Sequence, residues 1–361
     1  MIYVFSYFDL VPYILLFLSL IFVYNIKNKG INKLYLMATI LFVFSAIRYG
    51  TGWDYFSYMN EIKSNDIERY EFLCQLLMTF SRNNGIQLFF VVTSFLIIYP
   101  LAIGCKKMSR DPELSLIVYA LIPQFYIYSL DVIRNAVAWS LVFCSYAYFR
   151  EKKYLVSILL LLMALGFHIS VVASIPIYIL YFLKIGRKIS IGIFLSSFVL
   201  TSLLSNYLLL LNFEDSAFKG ASYYIGGEAS GGGSMKWAMN MIGILFLLLW
   251  NRLSEVRGGN VKYLVLINVG VSLWNLFYEV HTSLASRFSV NYIIFMILII
   301  PELLFCFKKR RFVLNCILFV SFAFCASSFY VNIAGNIKNN GKMAMFPYQT
   351  IFEHIDYSNL K

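Results

Sequence analysis

The sequence predicts an all-α integral membrane protein, and three observations predict it. Of 361 residues, 60% are apolar and only 13% are charged, too little charge to cover the surface of a soluble domain of this length. The apolar residues come in long blocks that lack the roughly 10-residue alternation of a barrel strand. Backbone groups inside hydrocarbon must find their partners within the segment, so helices are the spanning element. The expected architecture is a single polytopic domain over 1–361, a bundle of about twelve transmembrane helices with ten as the lower bound, long outer loops and a short interfacial helix.

A span needs about 20 apolar residues, somewhat fewer where flanking side chains snorkel to the interface. By that measure spans fall near 9–26, 34–48, 86–104, 113–130, 133–149, 154–168, 169–186, 189–211, 236–251, 262–278, 288–307 and 312–330. The opening MIYVFSYFDL has neither a basic segment nor a small-residue cleavage site, so the first helix is expected to be retained. Alternate loops should be rich in Lys and Arg, and six are: Lys27/Lys29/Lys33, Lys106/Lys107/Arg110, Arg150/Lys152/Lys153, Lys184/Arg187/Lys188, Arg252/Arg257/Lys262 and Lys308/Lys309/Arg310/Arg311. These are assigned to the inner side, most acidic residues fall on the other, and both termini are therefore expected to face out.

The same distribution accounts for the net charge of +12. Its basic residues sit in small clusters between apolar blocks and form no basic face, so no nucleic-acid partner is expected. The six cysteines lie mostly inside apolar segments, without a CxxC or a neighbouring His at ligand spacing, and read as core. The three histidines, at 168, 281 and 354, are far apart and acidic pairs at binding spacing are absent, so neither a metal nor a cofactor is expected. No P-loop, GxGxxG, GxSxG or HExxH occurs.

Three outer segments are long: 48–85, 212–235 and the tail 331–361. The first contains EFLCQLLMTF, too short to span and apolar on one side, which predicts a helix lying at the interface or re-entering the bundle. The second, with GGEASGGGSM, is a flexible loop by composition.

Ionisable groups at membrane depth are costly and tend to have a function. Arg48 opens RYGTGWDYFSYMNEI at the outer end of the second span; it either snorkels or meets a ligand that the following glycines let approach. Asp54 follows among Trp53, Tyr55 and Tyr58, a mixture found at sugar-binding surfaces and equally in an interfacial aromatic belt. Asp131 and Arg134 are three apart and either pair on one helix face or leave Arg134 for a site. Counted at 1.5 Å per residue from the basic turns, Arg48, Arg134 and His168 all stand roughly 22–23 Å up, in one outer layer. His168 is flanked by apolar residues, and its bland reading is a hydrogen bond to a carbonyl. YEVHTSLASRF adds Glu279, His281 and Arg287 between two spans on the same side. Several cations at an interface suit a phosphate or diphosphate, for which Arg offers paired hydrogen bonds, with Glu279, Asp54 or His168 able to deprotonate a hydroxyl.

Five stretches in order then give a resemblance: RYGTGWDYxxY from Arg48 to Tyr58, DVIRNAVA from Asp131 to Ala138, ALGFHIS from Ala164 to Ser170, SRFSVNY from Ser286 to Tyr292 and FPYQT from Phe346 to Thr350. The chain resembles the EpsG-like branch of the Wzy polysaccharide polymerases, multi-pass proteins of the bacterial cytoplasmic membrane that assemble O-antigen, capsule and exopolysaccharide. The resemblance implies a glycosyltransferase that extends a growing glycan chain with oligosaccharide units carried on undecaprenyl diphosphate, at the outer face, without nucleotide sugar or metal, alongside a chain-length regulator. On that resemblance Arg48, Arg134 and Arg287 would bind the diphosphate, Trp53, Tyr55 and Tyr58 the sugar, and His168, Asp54 or Glu279 would act as base. The alternatives are a lipid-linked oligosaccharide flippase or other transporter, a membrane O-acyltransferase, and a structural scaffold. A transporter would place its charges near the midplane and show internal repeats, and no repeat is visible.

Overall fold

The structure is a computed structural model, and it describes residues 7–28, 30–210, 233–279, 281–338 and 345–352. Nearly all of the described chain is helical, and every one of the twelve expected windows carries helix. Five helices are long and apolar enough to cross a bilayer, Tyr7–Asn25, Gln87–Met108, Lys236–Val256, Asn260–Tyr278 and Arg310–Tyr330. A sixth is reached if Thr282–Ile293 and Met296–Cys306, bent by 49°, count as one span. The expected number of about twelve is therefore not reached on length and composition among the described residues.

Local chemistry explains why. The 113–130 window divides into α6 (Pro112–Leu121) and α7 (Tyr126–Asp131) because Pro123 pushes Ile122 out of the helical region, to φ −83° and ψ 113°. The 169–186 window likewise divides into a 3-10 turn at Ile169–Ser174 and a short helix from Ile175. Other starts follow ordinary capping. Asn32 accepts from the Tyr35 N–H before α2 (Lys33–Ala46), and Asp111 accepts from the Leu114 N–H at 2.9 Å, with Pro112 just after it.

The chain forms two compact units, residues 1–169 with 309–361 and residues 170–308. In the first, α2 packs on α1 (Val11–Asn25), α5 (Gln87–Met108) and α6. In turn α5 packs on α8 (Ile133–Arg150), and α8, buried on almost every face, packs on α9 (Tyr154–Phe167). The basic loops share one end: Tyr24 donates to Asp111 at 2.9 Å, and Lys107 pairs with Glu151 at 2.8 Å. At the opposite end the segment after α2 makes β1 (Arg48–Tyr49), α3 (Tyr55–Ser64) and α4 (Phe72–Asn84).

The apolar EFLCQLLMTF stretch forms α4, an amphipathic helix. Its Cys74, Met78 and Ser81 are buried while Phe72, Leu76 and Phe80 are exposed. It lies against α9, where the absence of a side chain at Gly166 makes room: a Cβ there would meet Leu73 at 2.5 Å. The C-terminal segment returns over the same end. There β2 (Gln349–Thr350) pairs antiparallel with β1, Tyr348 stacks on Phe44 at 4.0 Å and donates to its carbonyl, and Tyr13 donates to the Met345 carbonyl at 2.6 Å.

The second unit contains α10 (Ile175–Phe182), α11 (Arg187–Leu210), α12 (Gly233–Val256), α13 (Asn260–Tyr278), α14 (Thr282–Ile293) and α15 (Met296–Cys306). Its centre is α13, which contacts each of the others. Polar side chains hold this centre together, as expected where water cannot drive helix association. Asn240 and Asn275 exchange amide hydrogen bonds at 3.0 and 2.8 Å, Asn275 also donates to Ser197, and Asn268 donates to the Ser190 carbonyl. The last helix, α16 (Arg310–Lys338), belongs to the first unit and packs on α6. The expected loop 212–235 falls outside the described residues except for its last three, which open α12.

Candidate functional site

The segment from Arg48 to Glu71 is threaded among the ends of α2, α5, α8 and α9. Gly50 and Gly52 turn it with φ of +71° and +103°. Only glycine fits at 52, because a Cβ would stand 2.2 Å from the Leu130 carbonyl oxygen. The next residue donates its N–H to Asp131 at 2.9 Å. Asp131 is thereby engaged by Trp53 N–H, and the chain breaks at Val132 (φ −99°, ψ 59°) before α8 begins. The expected Asp131–Arg134 pair on one helix face does not form, since that break separates the two residues into different helices.

Arg134 turns instead to α3 and α4. Its Nε donates to the Tyr58 hydroxyl at 2.9 Å, its Nη1 donates to Glu71 Oε2 at 2.5 Å, and its guanidinium lies over the Tyr70 ring at 4.4 Å. The other carboxylate oxygen of Glu71 accepts the Ile169 N–H at 3.0 Å. Ile169 follows His168, where α9 ends in extended backbone, and His168 is 8% exposed. Glu71 thus joins Arg134 to the Ile169 backbone, one residue beyond His168. Burial raises the phenol pKa of Tyr58 and of Tyr70, so both hydroxyls stay protonated. Burial also pushes the Cys74 thiol beneath them up to about 12, which leaves it unreactive.

Arg48 is in the same region but faces inward. It is 1% exposed, covered by the C-terminal strand, and it donates to the carbonyls of Ser45 and Thr51 and to Ser94 Oγ, with Phe90 under its guanidinium. The expected reach to an outer ligand is not met, because three acceptors already hold the side chain. The aromatic trio is corrected too. Trp53 is 47% exposed, but Tyr55 is stacked on Phe90 at 4.1 Å and bonded to Gln87, and Tyr58 is packed against Phe89. Neither tyrosine offers a face to a sugar. Asp54, half-buried, precedes α3 without capping it.

The second unit has its own group. His281 caps α14, its Nδ1 accepting the Ser283 N–H at 3.1 Å. Burial, and then the charge of nearby Arg287, hold its imidazole below the usual range, so the ring is neutral. Glu279 is exposed and paired with Lys236.

The model of the EpsG family matches residues 32–350, nearly the whole chain. The chain belongs to the EpsG family. Membership supports a polysaccharide polymerase-type role in a membrane. Neither the curated proteins nor the solved structures contain a match. All five quoted stretches lie within the residues matched to the EpsG family. Two of these stretches, RYGTGWDYxxY and DVIRNAVA, meet at Tyr58 and Arg134. Sequence reasoning missed Glu71 and Lys236. For Glu71 the signal was an acidic side chain immediately before an apolar helix, a costly place for a charge without a partner. Lys236 was missed for a different reason: its partner Glu279 is 43 residues away.

Proposed function

We propose that this EpsG-family chain is the glycosyltransferase that joins oligosaccharide repeat units carried on undecaprenyl diphosphate, at the outer face of the bacterial cytoplasmic membrane. The acceptor hydroxyl of one lipid-linked unit attacks the anomeric carbon of the growing chain. The bond from that carbon to the diphosphate oxygen breaks, and the hydroxyl proton passes to a base. Undecaprenyl diphosphate leaves with an added negative charge, which a positioned guanidinium stabilises as it forms.

The observation that carries this reading is the Arg134 cluster. A half-buried arginine, oriented by Tyr58 and aligned over Tyr70, is a preorganised donor for a phosphoryl oxygen. His168, beside the Ile169 N–H that completes the cluster, is the base candidate nearest to it in the chain, with Asp54 and Glu279 as the others. Arg48 acts from beneath, holding the loop that carries Tyr58, and Arg287 is the second unit's cation for the same anion class. Trp53, the exposed aromatic, is the sugar platform.

The test is the polysaccharide length profile of a deletion strain complemented with variants. Arg134→Ala should collapse the ladder of long chains to single repeat units while the protein is still made. Arg134→Lys should lose roughly 10²-fold in extension rate, since a point charge cannot reproduce the paired bonds. Lipid-linked units trapped on the cytoplasmic side would replace this reading with a flippase.

A further inference from the structure

Arg134 is the arginine best placed to meet a diphosphate, yet its guanidinium is already engaged. Glu71 takes two donors at once, Arg134 Nη1 on Oε2 at 2.5 Å and Ile169 N–H on Oε1 at 3.0 Å. The two donors come from the ends of two different helices, the start of α8 and the end of α9, and converge on the two oxygens of one group. That is the geometry any Y-shaped oxyanion accepts, carboxylate or phosphoryl alike. The paired side chains are 22% and 21% exposed, so the cradle opens to the surface. Glu71 stands in the N-cap position of α4 but makes no capping bond to its own helix, so its carboxylate serves the cradle alone.

We propose that Glu71 is an internal stand-in for one phosphoryl group of the ligand, and that an arriving diphosphate displaces it. The inference rests on the reading that Arg134 binds diphosphate. The carboxylate neutralises a largely buried arginine and keeps it aligned. It also sets a threshold. An anionic phospholipid headgroup such as phosphatidylglycerol carries one net negative charge, no more than Glu71, and cannot displace a carboxylate that is already tethered in place. A diphosphate carries more charge and more acceptor oxygens and can. Anionic phospholipids are the commoner competitor at a membrane surface, so this exchange selects the diphosphate by rejecting them.

The test is titration calorimetry of the full chain in phosphatidylcholine nanodiscs with inorganic pyrophosphate, repeated in nanodiscs containing phosphatidylglycerol. Wild-type protein should bind pyrophosphate weakly and be indifferent to phosphatidylglycerol. Glu71→Gln should bind pyrophosphate roughly tenfold more tightly, the factor that about 1.4 kcal/mol of removed competition gives, and should become sensitive to phosphatidylglycerol. Glu71→Asp, one methylene too short to reach both donors, keeps the charge and should shift affinity in the same direction if the glutamine variant fails to fold. Unchanged or weaker pyrophosphate binding in both variants, with wild-type binding still dependent on Arg134, overturns the stand-in and leaves the diphosphate reading intact. Pyrophosphate binding that survives Arg134→Lys undiminished overturns the diphosphate reading itself.

Discussion

Replacing Gly52 with alanine should unlock the whole loop from Arg48 to Glu71. The position has φ of +103°, and an added Cβ would sit 2.2 Å from the Leu130 oxygen and 3.0 Å from its carbon. An ordinary C···O contact is about 3.3 Å, so loop and α7 must separate by about 1 Å. The unfavourable backbone region costs about 1–3 kcal/mol in a non-glycine residue. Separation also stretches the adjoining hydrogen bond from Trp53 N–H to the Asp131 carboxylate, and a bond to a charged group contributes about 1.5–3 kcal/mol. A loss of roughly 3–5 kcal/mol follows, a large part of a typical total. Because the same loop carries Tyr58, which orients Arg134, activity should fall with stability. Reversible denaturation in mixed micelles gives the first quantity and the polysaccharide ladder the second. A variant within about 0.5 kcal/mol of wild type, with a normal ladder, would refute this account of the loop.

Three other expectations concern separate parts of the molecule. Asn275→Leu should orphan the Asn240 side-chain oxygen, its Nδ2 still donating to the Lys236 carbonyl, and cost about 1–2 kcal/mol in a stability titration, whereas changing both residues to leucine should recover much of the loss, because that oxygen is then gone. Tyr348→Ala removes the stack on Phe44 and the hydrogen bond to its carbonyl; it should speed hydrogen exchange at the paired β1 and β2 amides while the second unit is unaffected. His281 is held below its usual pKa by burial and Arg287, so the stability it contributes is complete above about pH 6.5, its unfolded value, and is lost as pH falls through the lower folded value. His281→Asn, which can still cap α14 without titrating, should flatten that slope, and an unchanged acid limb would assign the effect elsewhere.

The helical class and the position of nearly every helix were legible because apolar blocks announce themselves without tertiary information. Span number was not, because single residues decide it: Pro123 divides one window and the bend between α14 and α15 divides another. Burial of Tyr55 and Tyr58 could have been read from the sequence, since Tyr55, Tyr58, Met59 and Ile62 recur at the spacing of one helix face and all four are buried. Depth arithmetic from the basic turns put Arg134 and His168 on one level, and the structure joins Arg134 through Glu71 to the N–H of Ile169, the residue after His168. What arithmetic along single helices cannot supply is azimuth. It therefore missed that Arg48 faces inward under a C-terminal strand some 300 residues away, a two-residue pairing too short to leave a local signal.

Chain extension by the purified protein in vesicles, supplied only with undecaprenyl-diphosphate-linked repeat units, tests the central claim most directly. A ladder of longer glycans, with one undecaprenyl diphosphate released per new linkage and none formed by Arg134→Ala, is the predicted result. Repeat units that cross the bilayer unjoined, or a ladder of normal length from Arg134→Ala, would contradict it.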